Sequence, residues 1–158
     1  MNAHEPEPAP AILSAASQRR ASALFNYINI TVMVLAGIPL IMAGSASGKG
    51  MILATAAAII PIVLLFGGSM LLYALTKHPP HPKVGHYTQW AAYRYYAVTG
   101  SLIVIGTFFP ADVRYYLAFW AFAAGILVPW SIWEIIEIQR DTWADMPIPE
   151  PHSPYDHH

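Results

Sequence analysis

The sequence predicts an all-α fold: an integral membrane bundle of four transmembrane helices between flexible proline-rich tails. Three observations carry this expectation. Charged residues make up 11% of the chain and apolar residues 56%, whereas an average soluble domain carries roughly 25% charged residues. So few charges cannot cover a water-facing surface, and lipid must be the solvent for much of the chain. Long runs are free of charge, and about 20 apolar residues suffice to cross a bilayer core of roughly 30 Å. The runs are continuous rather than alternating, which argues against barrel strands of about 10 residues.

Residues 1–20, rich in proline and alanine, read as a flexible tail with a short helical stretch near Ile12–Gln18. The first span covers residues 21–43. Arg19 and Arg20 precede it as in a secretory signal, but the run exceeds the roughly 7–15 residues of a signal core and reads as an anchor. The segment GSASGKG turns the chain into a second span over residues 51–75. A polar, proline-broken loop, TKHPPHPKVGHYTQW, follows. The third span, residues 91–109, is apolar only from Tyr95 and reaches spanning length if Arg94 snorkels to the interface. Pro110–Arg114 makes a tight turn into the fourth span, residues 115–139. Residues 140–158 form a second flexible tail, rich in proline and histidine.

Four spans place both termini on one side of the membrane. With the termini inside, Arg19, Arg20, Lys77, Lys83, Arg94 and Arg140 are cytoplasmic and only Lys49 and Arg114 lie outside. That asymmetry favours cytoplasmic termini, and a bacterial inner membrane is the expected location. Aromatic belts agree: Trp90, Tyr93, Tyr95 and Tyr96 mark the inner end of the third span, and Tyr115 and Tyr116 the outer end of the fourth.

Several function classes are excluded. A net charge of −1 gives no electrostatic case for nucleic acid. The absence of cysteine removes disulfides, thiolate catalysis and iron–sulfur clusters. None of the seven histidines falls within a span, so haem held by buried histidines is not expected, nor is a buried copper or di-iron centre. No phosphate loop, nucleophile elbow or dinucleotide fingerprint is present, and no cofactor is expected. The loop histidines His78, His81 and His86, with the tail Asp156–His157–His158, offer ligands for a divalent metal such as zinc or nickel, but nothing closes the site.

The polar residues within the spans are more informative. Glu134 and Glu137 lie one turn apart on the fourth span, and a carboxylate at membrane depth marks a functional site by default. Arg94 enters the third span from the same side. Asn26 and Asn29 share a face of the first, and Ser69 and Tyr73 end the second. All four spans therefore bring polar groups to the cytoplasmic leaflet. The expectation is a cluster in which Arg94 pairs with Glu134 or Glu137 and fixes the helix register. Pro39, Pro61 and Pro129 lie mid-span, where transporters place hinges, and Gly67–Gly68–Ser69 and Ala121 with Gly125 suit close helix contact.

Two functions fit. The first is a non-catalytic accessory or assembly subunit of a larger membrane complex, acting through apolar helix faces and cytoplasmic tails. The alternative is a small proton- or cation-coupled transporter, acting as an oligomer, that uses Glu134 with Arg94. A lipid-modifying enzyme with acid–base chemistry at Glu134, Tyr73 or Tyr96 has no supporting motif. The expected partners are the lipid bilayer and either other membrane subunits or further copies of the chain.

Overall fold

The computed structural model describes residues 11–76, 79, 81–109 and 112–148. Its elements in chain order are β1 (Ile12–Leu13), α1 (Ala15–Ser45), α2 (Lys49–Thr76), α3 (Pro82–Gly106), α4 (Val113–Arg140) and β2 (Met146–Pro147). The first, second and fourth helices are long and apolar enough to cross a membrane, the second over Lys49–Leu71. Three such helices are the pattern of a multi-pass membrane protein. The third is 25 residues long, or about 37 Å, but its first half carries too many polar residues to meet the same criterion.

Each helix starts and stops for a local reason. Ser14 caps α1, its hydroxyl accepting from the Ser17 amide at 3.2 Å. Gly48 turns the chain between α1 and α2 with φ of 57°, a left-handed conformation that a side chain would strain. His81 caps α3 through Nδ1, which accepts from the Lys83 amide at 3.1 Å, and Pro82 opens that helix without an orphaned donor. Asp112 caps α4 and accepts from the Arg114 amide at 2.8 Å. Pro39, Pro61 and Pro129 all lie within helices that continue past them.

α1 is the centre of the bundle. It packs against all three other helices, most extensively α4 and α2, while α2 and α4 barely touch. Its buried face runs Gln18, Ser22, Asn26, Asn29, Met33, Ala36, Leu40 and Ala43, a helical spacing of three and four. That stripe is polar toward the N-terminal end of α1 and apolar toward its C-terminal end. Its opposite face carries exposed Leu24, Leu35, Ile38 and Ile41, so in one part of α1 the usual pattern is reversed, as suits a helix whose solvent is hydrocarbon. α2 goes further. Of its described side chains only Ala58 and Ser69 are buried, and Ile52, Leu53, Leu64 and Leu71 are exposed.

Small residues set how closely the helices approach. Ala91 and Ala92 are wholly buried where α3 meets α1. On α1, Gly37 makes room for the Trp120 ring of α4, whose indole N–H donates to the Met33 carbonyl at 2.8 Å. A Cβ at Gly37 would overlap that ring.

The two tails depart from expectation. Residues 11–20 and 141–148 are ordered against each other rather than free. Leu13 pairs with Met146 and Ile12 with Pro147 in a short antiparallel ladder, extended by the Ile148 amide donating to Ala11 at 2.7 Å. The Gln18 amide donates to the carbonyls of Leu13 and Ala144, each at 3.0 Å, and the Asp145 carboxylate receives the Ala15 amide at 2.7 Å. The first helix therefore starts at Ala15, within the stretch expected to be tail, and the fold carries two short strands beside its helices. The pairing joins segments some 130 positions apart, which composition read tail by tail does not reveal. The remaining tail residues lie outside the described residues.

Gly37→Ala is expected to destabilise the bundle by about 1–3 kcal/mol through overpacking against Trp120, read as a lower midpoint of thermal unfolding in mild detergent. Adding Trp120→Phe, with its smaller ring, should cost less in the Gly37→Ala background than in the parent. An unchanged midpoint in Gly37→Ala contradicts the close approach.

Candidate functional site

The polar cluster forms where α1, α3 and α4 converge toward the end of the bundle that carries the two termini. The buried stripe of α4 runs Ala123, Leu127, Ser131, Glu134, Ile138, and Glu134 is 5% exposed. Arg94 of α3 donates from Nη2 to Oε2 of Glu134, and Asn26 of α1 donates from Nδ2 to the same oxygen at 2.8 Å. Three helices thus meet on one carboxylate oxygen. The Arg94 guanidinium also lies 5.0 Å from the centre of the Trp130 ring, one turn before Glu134, where the ring face adds cation–π attraction. Arg94 turns inward: its side chain is 14% exposed, so it does not snorkel to the interface.

Burial of this kind is costly for either ion alone. A buried pair recovers the cost only when the geometry is good and further hydrogen bonds satisfy the charges. Asn26 and Trp130 supply those contacts here. The arrangement suits an ionised carboxylate held between two donors, which makes a register-fixing lock.

Glu137 is separated from Glu134. Three residues advance a helix by about 300°, which leaves a 60° offset, and the packing seam of α4 is narrow enough that Glu137 falls outside it, exposed. Asn29 sits one turn from Asn26 and donates from Nδ2 to the Ala91 carbonyl at 3.3 Å. Among the described residues, no donor reaches Oδ1 of either asparagine. Tyr73 joins Tyr93, their hydroxyls 3.0 Å apart. The Tyr96 ring packs edge-on against Phe66 with its buried hydroxyl unpartnered among the described residues.

The loop histidines have other roles where they are described. His81 spends Nδ1 on the α3 cap, with its ring 6.0 Å from Trp143. His86 packs edge-on against Tyr87 and Trp90. His78 lies outside the described residues, as do His152, His157 and His158. Among the described residues, no three histidines or carboxylates come together as a metal group.

A second polar junction, not anticipated from sequence, lies between the first turns of α3 and the residues that follow α4. Lys83 Nζ donates to Asp141 Oδ1 at 2.8 Å and to the Thr142 carbonyl at 3.1 Å, and lies 5.7 Å from the centre of the Trp143 ring. Tyr87 donates to the other Asp141 oxygen at 3.3 Å. The hydrogen bond from Lys83 holds the Asp141 carboxyl below the usual aspartate range, with the Thr142 amide adding to it. Burial and the neighbouring carboxylate raise the Tyr87 hydroxyl. This junction ties the start of α3 to the end of α4 and leads into the strand clasp. The sequence signal for it was weak: a lysine in one loop and an aspartate at a helix end, with no fixed spacing between them.

Comparison with known proteins gives no match: no family model, no curated protein and no solved structure fits the chain.

Two predictions follow from this geometry. Arg94→Ala leaves Glu134 buried without its counter-ion and is expected to cost about 3–5 kcal/mol, whereas Lys49→Ala should be near neutral. Equal thermal midpoints for the two variants contradict the pairing. The Asp141 junction has a definite pH sign. Because the folded carboxyl titrates below its unfolded value of about 3.9, its contribution is intact above that value and is lost as pH falls through the lowered folded value. The protection factor of the Ile148 amide, its exchange rate relative to that of the unfolded chain at the same pH, should fall more steeply on acidification below about pH 4 in the parent than in Asp141→Asn. Parallel profiles contradict the linkage.

Proposed function

We propose that the chain is a four-span integral membrane protein with cytoplasmic termini, serving as a non-catalytic accessory or assembly subunit of a larger membrane complex. The observation that carries this reading is how the interior polar groups are used. Glu134, Arg94 and Asn26 bond to one another in a closed cluster, so the strongest candidate for chemistry is occupied in holding three helices together. What remains available is apolar surface. α2 is exposed along most of its length and packs closely only against α1, which suits a helix shared with a partner. On α4, Gly125 has no neighbour within 4 Å of its Cβ position and lies exposed with Ala121, room for a further helix to approach.

The fourth span is α3: Tyr95–Gly106 alone rises only about 18 Å, and the helix reaches bilayer length by including the turns before it once Arg94 is neutralised by Glu134. The excess of lysine and arginine on the clasp side supports cytoplasmic termini.

A second reading is favoured by one specific feature. Glu134 is a carboxylate buried among three helices, beside asparagine oxygens that lack donors among the described residues. In a proton- or cation-coupled transporter, protonation of Glu134 would release Arg94 and loosen the seam between α3 and α4.

The two readings separate on purification from native membranes in mild detergent followed by mass spectrometry. The subunit reading expects a stoichiometric membrane partner and no effect of Glu134→Gln on proton flux into vesicles. A clean homo-oligomer whose flux is abolished by Glu134→Gln overturns it in favour of transport.

A further inference from the structure

At the end of the bundle opposite the ion pair, the four helices enclose a cavity of about 310 Å³. Its floor is Met33 and Leu40 of α1 with Ala123 of α4, all buried. Its mouth lies between α2 and α3, where the lining residues Ile59, Val63 and Ile103 are 37%, 55% and 47% exposed. Trp120 forms one wall, its indole N–H turned away to the Met33 carbonyl.

We propose that this groove seats one acyl chain of a bilayer lipid. The inference rests on the membrane reading above. Three features identify the occupant. The lining is largely hydrocarbon, and although Thr99, whose buried hydroxyl has no partner among the described residues, lies on it, a single hydroxyl falls short of the about two to four polar partners that a held water needs. A void of this size is twice that of an engineered apolar cavity of roughly 150 Å³ that takes up benzene, and left empty it would forfeit the dispersion contacts of its whole lining. The mouth opens sideways, into the surface that the apolar faces of α2 and α3 present to lipid, rather than toward an aqueous end.

The direction of the groove favours a lipid over a free apolar molecule. It runs along α3 from Thr99 to Thr107, a rise of about 12 Å, close to the roughly 15 Å thickness of one hydrocarbon leaflet. Tyr116 and Thr107 line its outer end, at the level where aromatic residues meet lipid headgroups. A chain entering there would keep its headgroup at the interface and end near the bundle centre. The loose packing of α2 against α3 is then the gap that the chain fills.

The test uses the full chain in vesicles of phosphatidylcholine brominated at mid-chain, with tryptophan fluorescence as the readout. One variant retains only Trp120, and a second retains only the lipid-facing Trp130, the other tryptophans being changed to phenylalanine. Ala58→Phe on α2 and Gly106→Leu on α3 then fill the groove from two sides. At Gly106 a Cβ meets only Phe119, at 3.7 Å. The expected result is Trp120 quenching as strong as that of Trp130, reduced at least threefold by either filling substitution, with Trp130 unchanged. Trp120 left unquenched while Trp130 is quenched overturns the proposal. So does quenching that neither filler alters, or quenching that appears only after a co-purified apolar small molecule has been extracted. If neither tryptophan is quenched, it is the bilayer reading that falls.

Discussion

A charged carboxylate inside a low-dielectric helix bundle cannot stand alone, and the fold is arranged around that constraint. Glu134 reaches the interior because it lies on the one packed stripe of α4. Its charge is answered by Arg94 from α3 and its hydrogen bonding by Asn26 from α1. Each partner comes from a different helix, so rotating or sliding any one of the three breaks a bond that hydrocarbon cannot replace. The pair therefore specifies register, and the apolar packing of Phe25, Met33, Tyr95 and Leu127 around it follows from that register. Breaking such a pair is costly, although the intact pair contributes little net stability over a well-packed apolar substitute.

A lipid solvent, to which the three spanning-length helices point, accounts for the unequal packing of the helices. In water, α2 could not expose Ile52, Leu53, Leu64 and Leu71 together. In lipid those side chains gain nothing by being buried against protein, so tight contacts must come from shape and from polar groups. α1 and α4 have both: Gly37 under Trp120, and Asn26 on Glu134. α2 has few described groups of either kind, and its place in the bundle is correspondingly loose. At the end of the bundle that carries the termini the constraint changes again. The backbone emerges from the helices, and its polar groups are answered by the clasp of Gln18, Asp145 and the paired strands.

The helices were legible in the sequence because they rest on local facts. Charge-free runs, punctuated by GSASGKG and by the prolines, give four helices with boundaries close to those observed, apart from the starts of α1 and α3. The partnership of Arg94 with Glu134 was also within reach, since few charged groups enter the spans and they enter from one side. Choosing between Glu134 and Glu137 was not, because both satisfy the same spacing and only the width of the packing seam separates them. Gly37 beneath Trp120 and Lys83 on Asp141 were not legible either. Each joins residues that share no spacing rule, and a glycine within a span looks the same whether it faces lipid or an indole ring. The early start of α1 was hidden because the Ser14 cap belongs to a proline-rich stretch and its partner segment lies at the far end of the chain. The groove along α3 has no sequence signature, as it is a gap among ordinary leucines, isoleucines and alanines.

The central claim is that Arg94 and Glu134 act as one unit holding three helices. A double-mutant cycle tests it most directly, with Arg94→Met, Glu134→Leu and their combination compared by unfolding midpoint in lipid-like detergent. The account predicts that each single change costs about 3–5 kcal/mol and the double change clearly less than either, so that the coupling exceeds the cost of one single change. Additive effects would mean that the two side chains are independent, and would contradict the account.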